Sequence, residues 1–171
     1  MAVNSGMHAQ GRGAAGGVPL AASVYGYAGL IPFVACAVAA WLLAPPWNSY
    51  AFEFQIRYGA TILSFLGAVH WGLALAGTGT GGDARAACTW SRLGWSVAPA
   101  LVAWISLLMY PVVALTAQIL AFAAVFFGDV RAARSGLVPA WYLRLRRPLT
   151  AIVIASLGAM LLRVIWRAPM P

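Results

Sequence analysis

The chain has 171 residues, of which 63% are hydrophobic and 8% charged, with a mean hydropathy of +0.83. A soluble domain carries about 25% charged residues, so this composition excludes one and places most side chains against lipid or other buried helices. The net charge of +8 comes from eleven arginines, with no lysine, against three acidic residues; the arginines lie mainly between apolar segments, where they act as topology signals rather than as a nucleic-acid surface.

Residues 1–20 are rich in Gly and Ala and lack apolar periodicity, which predicts a disordered tail ahead of a single membrane domain over 21–168. His8 falls in that tail. The first apolar run continues to full membrane length, so no cleaved secretory signal is expected. The first span is predicted over about 23–44, kinked at Pro32. The segment Ala44–Tyr50, with Pro45, Pro46, Trp47 and Tyr50, ends it at headgroup level.

The second span is predicted over about 54–77. Glu53 precedes it, where the helix dipole favours a carboxylate, and Arg57 follows at the i+4 spacing of an ion pair. A Gly-rich loop with Asp83, Arg85 and Arg92 comes next. The apolar stretch from Leu93 to Gly128 would measure about 54 Å as one helix, against a bilayer core of about 30 Å. It is therefore divided into spans over about 93–109 and 112–128, folded back at Met109-Tyr110-Pro111, with Pro99 in the first turns of the third span. Asp129 then closes the fourth span.

Residues 129–148 hold five arginines together with Trp141 and Tyr142. They read as a loop followed by an interfacial stretch, in which Trp141, Tyr142, Arg144, Arg146 and Arg147 are candidate headgroup contacts. The fifth span is predicted over about 149–166, with Arg163 and Arg167 snorkelling from its last turn. The fold class expected is all-α, a polytopic membrane bundle of about five transmembrane helices. Basic residues crowd the loops after spans two and four, so the positive-inside rule sets the N-terminus inside and the C-terminus outside.

His70 is the sharpest candidate for function. It lies about 20 Å along the helix axis from Arg57, within the membrane, where an ionisable side chain marks a functional site by default. Helical phase tempers that reading. Ala60, Gly67 and Ala74 form a small-residue stripe, and His70 projects about 50° from it, a position suited to a hydrogen bond across a close helix contact. Glu53 and Arg57 lie on a different face. Asp129, at a helix C-terminus, needs a cation: Arg131 or Arg134 locally, Arg92 from the preceding loop, or protonated His70. Trp71 stands beside His70 as a further candidate.

Five separated pieces, YGYAGLIPF (25–33), YGATILSFLGAVHWGLAL (58–75), WSVAPALVAWISLL (95–108), Asp129 and PAWYLRLRRPLT (139–150), together resemble the DUF3429 family of uncharacterised membrane proteins. That family has bacterial members and a mitochondrial one in animals. The resemblance implies a multi-helix protein of a bacterial plasma membrane or a mitochondrial inner membrane. It points to His70, Trp71, Asp129, Trp141, Tyr142 and Arg146 without assigning roles.

No GxSxG, HExxH or GxxxxGK[ST] motif is present. Cys36 and Cys88 form no CxxC pair, and three acidic residues make no carboxylate metal site. Neither metal nor cofactor is expected. The expectation is a non-enzymatic accessory, assembly or lipid-interacting membrane protein. Its partners would be membrane lipids with anionic headgroups, a membrane protein or a second copy of the chain, and not nucleic acid. The alternatives are a small proton-linked permease using His70 and Asp129, and a membrane enzyme acting on an anionic lipid or isoprenoid.

Overall fold

The computed structural model describes residues 17–76 and 89–167. The expected tail falls for the most part outside the described residues, as do Asp83, Arg85 and Cys88. The described chain is all-helical, with no strand. Its elements are α1 (Leu20–Ala28), α2 (Ile31–Leu42), α3 (Trp47–Ala76), α4 (Trp90–Ser106), α5 (Pro111–Arg134) and α6 (Ala140–Arg167).

Four stretches are long and apolar enough to cross a membrane: α1 and α2 taken together, α3, α5 and α6. With 17 residues, α4 is shorter, about 26 Å at 1.5 Å per residue. The helices close into a ring in the order α2, α3, α4, α5, α6 and back to α2, with α3 and α5 also touching across the middle. Leu63, Leu115, Leu157, Phe33, Phe122 and Met160 fill the centre. Outward, large apolar side chains such as Phe65, Leu101, Leu120 and Leu162 are exposed, the surface expected of a bundle solvated by lipid tails.

The first span breaks at Gly29–Leu30 rather than at Pro32, which instead takes an opening position of α2, where a missing N–H is least harmful. Tyr58 of α3 donates its hydroxyl hydrogen to Gly29 O at that break (3.0 Å), and its ring meets Phe33 edge-on. Close approach also sets the α3–α4 contact. A Cβ on Gly67 would run into Ser96 O, and Ala60 and Ala74 of the same stripe are buried.

Several helix ends differ from the sequence expectation, and each difference has a local cause. Helix α3 starts at Trp47 rather than Phe54, directly after Pro46, whose carbonyl accepts the N–H groups of Ser49 and Tyr50. Trp47 and Tyr50 therefore form its first turn. Helix α4 starts at Trp90, which leaves Pro99 inside the helix rather than in its first turns. Helix α5 runs through Gly128 to Arg134, because Ala and Arg are good helix formers and nothing stops it sooner. It ends where Gly136 takes φ +70°; Leu137 N–H then reaches Ala132 O and Gly136 N–H reaches Ala133 O, a Schellman stop. Helix α6 starts at Ala140, not Leu149, so the arginine-rich segment forms its first two turns and Pro148 lies within it. Asp129 is thus inside a helix rather than at its end.

Candidate functional site

The boundaries of α5 and α6 create the site. Helix α3 carries His70 six residues before its end, α5 carries Asp129 five before its end, and α6 carries Arg146 six after its start. At 1.5 Å per residue all three sit about 8–9 Å below the same end of the bundle. Asp129 is the hub. Its Oδ2 accepts a hydrogen bond from Arg146 Nε at 2.8 Å, and its Oδ1 accepts one from the Tyr142 hydroxyl at 3.2 Å. His70 Nε2 lies 3.1 Å from the same Oδ1, though its N–H is off line, so this nitrogen gains electrostatic contact without a well-directed hydrogen bond.

Burial decides what this geometry means. Exposure of the side chains is 2% for Asp129, 10% for Arg146 and 11% for His70. Transferring an isolated carboxylate or guanidinium into such a place is prohibitive, and only pairing with good geometry offsets it. The carboxylate meets that condition by spending both oxygens on three partners from two neighbouring helices. Arg146 Nη2 remains buried without a hydrogen-bond partner.

Tyr142 and Arg146 come inward because they share one face of α6 with Leu145 and Leu149, which pack in the core. Their i, i+3, i+4, i+7 spacing is the signal by which the inward turn could have been found in the sequence. Arg144 and Arg147, on the opposite face, are exposed. Trp141 packs against the core cluster, and its ring meets Tyr142 edge-on. The five residues expected at the headgroups therefore divide: Tyr142 and Arg146 serve the cluster, Trp141 packs, and Arg144 and Arg147 face out.

The remaining candidates are separate from the cluster. Glu53 and Arg57 form an exposed i, i+4 pair at 2.8 Å in the other half of α3. Trp71 faces outward, 41% exposed. Arg163 does not snorkel: it is buried, its Nε donates to Ala40 O (2.9 Å), and its guanidinium lies over the Trp41 ring. Sequence reasoning also missed Gln118 in the core, whose Nε2 donates to Ile56 O (2.8 Å) and Ser106 Oγ (3.1 Å). Among the described residues, no group of three His, Cys, Asp or Glu side chains could hold a metal ion.

Beside the cluster, a cavity of about 760 Å³ lies between α3, α4 and α5. His70 lines it, and so do Arg92, Trp95 and Arg131. Arg131 thus lines this cavity, while the cation on Asp129 is Arg146.

Fold and site together define a multi-pass helical membrane protein whose helices are tied near one end by a buried ionic cluster. The chain belongs to the DUF3429 family: the family model, described as a protein of unknown function, matches residues 18–162, a range that contains the whole cluster. The chain is 34% identical over 139 residues to transmembrane protein 69 of Xenopus tropicalis, an alignment covering 81% of this chain and 53% of that protein. It therefore spans about half the length of that curated relative. No solved structure matches.

Proposed function

We propose that this chain is a non-enzymatic component of a bacterial plasma membrane or mitochondrial inner membrane, acting by association with lipid or with a neighbouring membrane protein. The observation that carries the reading is the saturation of Asp129. Both its oxygens are committed to Arg146, Tyr142 and His70, a pattern suited to holding α3, α5 and α6 together and not to a carboxylate waiting for a substrate. The end of the bundle that bears Arg92, Arg131, Arg134, Arg144 and Arg147 faces the cytoplasm or matrix in this reading, with the N-terminus inside and the C-terminus outside.

The test is extraction into native nanodiscs without detergent, followed by native mass spectrometry. A co-purifying protein or a specifically retained lipid is expected. Recovery of a bare monomer with neither would remove the basis for the proposal. Orientation is read separately from C-terminal reporter fusions, which should report the outer side.

One observation favours a second reading, a proton-linked permease: His70 both contacts Asp129 and lines a cavity. That reading requires proton flux in proteoliposomes that disappears with His70→Ala. Flux equal to that of empty vesicles would exclude it.

A further inference from the structure

We infer that the outward face of α3 is a dimer interface, packing against the same face of a second copy about a two-fold axis along the membrane normal. Glu53 and Arg57 form its charged end, and Thr61, Ser64 and Ala68 its middle. This inference rests on the associative reading above and names the neighbour and the surface.

At 100° per residue, these five side chains fall within about 80° of one another around α3, and all are exposed. Other faces of the helix pack against α2, α4 and α5. Tyr50 and Trp71 stand on the same outward face, 49% and 41% exposed. They are 21 residues apart, about 31 Å along the axis, which matches a bilayer core of about 30 Å with an interfacial aromatic at each edge. The polar side chains between them therefore face acyl chains unless protein covers them.

Among the described residues, Arg57 is the exposed charged side chain farthest from a helix end, ten residues from the start of α3, or about 15 Å. It pairs with Glu53 at 2.8 Å, and the two side chains are 67% and 50% exposed. Charges within the bilayer core are costly and as a rule face other protein. Farther in, the Thr61 and Ser64 hydroxyls donate to Arg57 O and Ala60 O, so each oxygen keeps acceptor capacity toward a neighbour. Ala68 is small, and a Cβ added at Gly72 would meet open space, so a second helix can come close there.

The charge order singles out a second copy. One carboxylate and one guanidinium on one face form a self-complementary patch, the kind a two-fold axis pairs with itself. Two copies in the same membrane orientation set both pairs at one depth. The Arg57 guanidinium already stands at the level of Glu53, so each arginine can bridge its own carboxylate and the partner's Glu53. The four charges then alternate in sign, and the two copies shield them from lipid. A partner helix bearing charge of one sign would match one member of the pair and repel the other.

The test reconstitutes the full chain, labelled with donor or acceptor fluorophores, in liposomes at high lipid dilution and reads energy transfer. Wild type should transfer well above the level of chance encounter. Glu53→Arg and Arg57→Glu each give the face charges of one sign and should each cut the dimer fraction by about tenfold or more. Mixing the two variants should restore transfer between them. A second measurement keeps Glu53 and Arg57 intact. With Cys36 and Cys88 replaced by serine, Ser64→Cys should oxidise to a linked dimer, whereas Leu120→Cys on α5 and Leu162→Cys on α6, exposed on other faces, should not. Transfer at the chance level in wild type, full transfer in either single variant, no recovery in the mixture, or equal cross-linking at all three positions overturns the inference. If wild type is monomeric but native nanodiscs retain another protein or a specific lipid, the inference fails while the associative reading stands; if they hold only the bare monomer, both fail.

Discussion

Replacing Asp129 tests the cluster most directly. Asp129→Asn keeps the size of the side chain and an acceptor for Tyr142 but removes the charge, leaving the Arg146 guanidinium, 10% exposed, without its counter-ion. Removing one partner of a buried ion pair costs about 3–5 kcal/mol, while side-chain hydrogen bonds within membrane bundles average only about 0.6 kcal/mol, so a destabilisation of about 3 kcal/mol is expected. Arg146→Met should cost less, about 2 kcal/mol, because Asp129 keeps Tyr142 and His70 beside it. The double variant should fall short of the sum by about 2 kcal/mol, as expected for groups in direct contact. Unfolding by SDS in mixed micelles, followed by tryptophan fluorescence, measures all four proteins. Eight tryptophans, including Trp141 beside the cluster, provide the signal. Single variants within about 0.5 kcal/mol of wild type, or energies that simply add, would show that the contacts seen around Asp129 do not carry the load assigned to them.

The same titration checks three further contacts. Gly67→Val forces a Cβ toward Ser96 O and should cost about 2 kcal/mol or prevent α3–α4 packing, whereas Gly158→Ala, which meets open space, should stabilise by about 0.5–1 kcal/mol. Gln118→Leu gives up two hydrogen bonds and should destabilise by about 1 kcal/mol; Gln55→Leu, at a fully buried amide with neither polar atom bonded, should instead gain about 1 kcal/mol. Trp41→Phe loses the indole hydrogen bond to Ala159 O (3.1 Å) and weakens the face under Arg163, a cost of about 1 kcal/mol.

What could be read in the sequence was whatever depends on local pattern. The apolar runs, the fold-back before Pro111, the Glu53–Arg57 pair and the small stripe through Gly67 follow from period and spacing along one chain. The ends of α5 and α6 did not, because arginine is both a good helix former and a typical loop residue at a membrane surface. Reading residues 129–148 as a loop followed by an interfacial stretch stopped α5 at Gly128 and started α6 at Leu149. That choice hid the cation on Asp129: with Arg146 outside a helix, nothing places it on the same face as Leu145 and Leu149. Arg163 failed for a related reason. Its position suits snorkelling, and only the approach of α2 makes Ala40 O and the Trp41 ring available to it.

Stability alone does not account for a buried ionic cluster, since apolar side chains of similar size often hold helices as well or better. A cluster differs from leucine in being directional, and here direction has a consequence. Gly128, Arg131 and Ser135 recur at i, i+3 and i+7 and line the cavity, while Asp129 stands about 100° round the helix from Gly128. Fixing Asp129 on Arg146 therefore sets the rotation of α5 that brings Gly128 against Trp95, where a Cβ would meet the indole nitrogen, and Arg131 to the cavity. On α3, His70 and Leu73 take the corresponding face, next to the stripe that packs on α4. Among the described residues, His70 alone belongs to both the cluster and the cavity lining. A change at Asp129 is thereby expected to reach the cavity through two helices at once, by turning α5 and by freeing the imidazole.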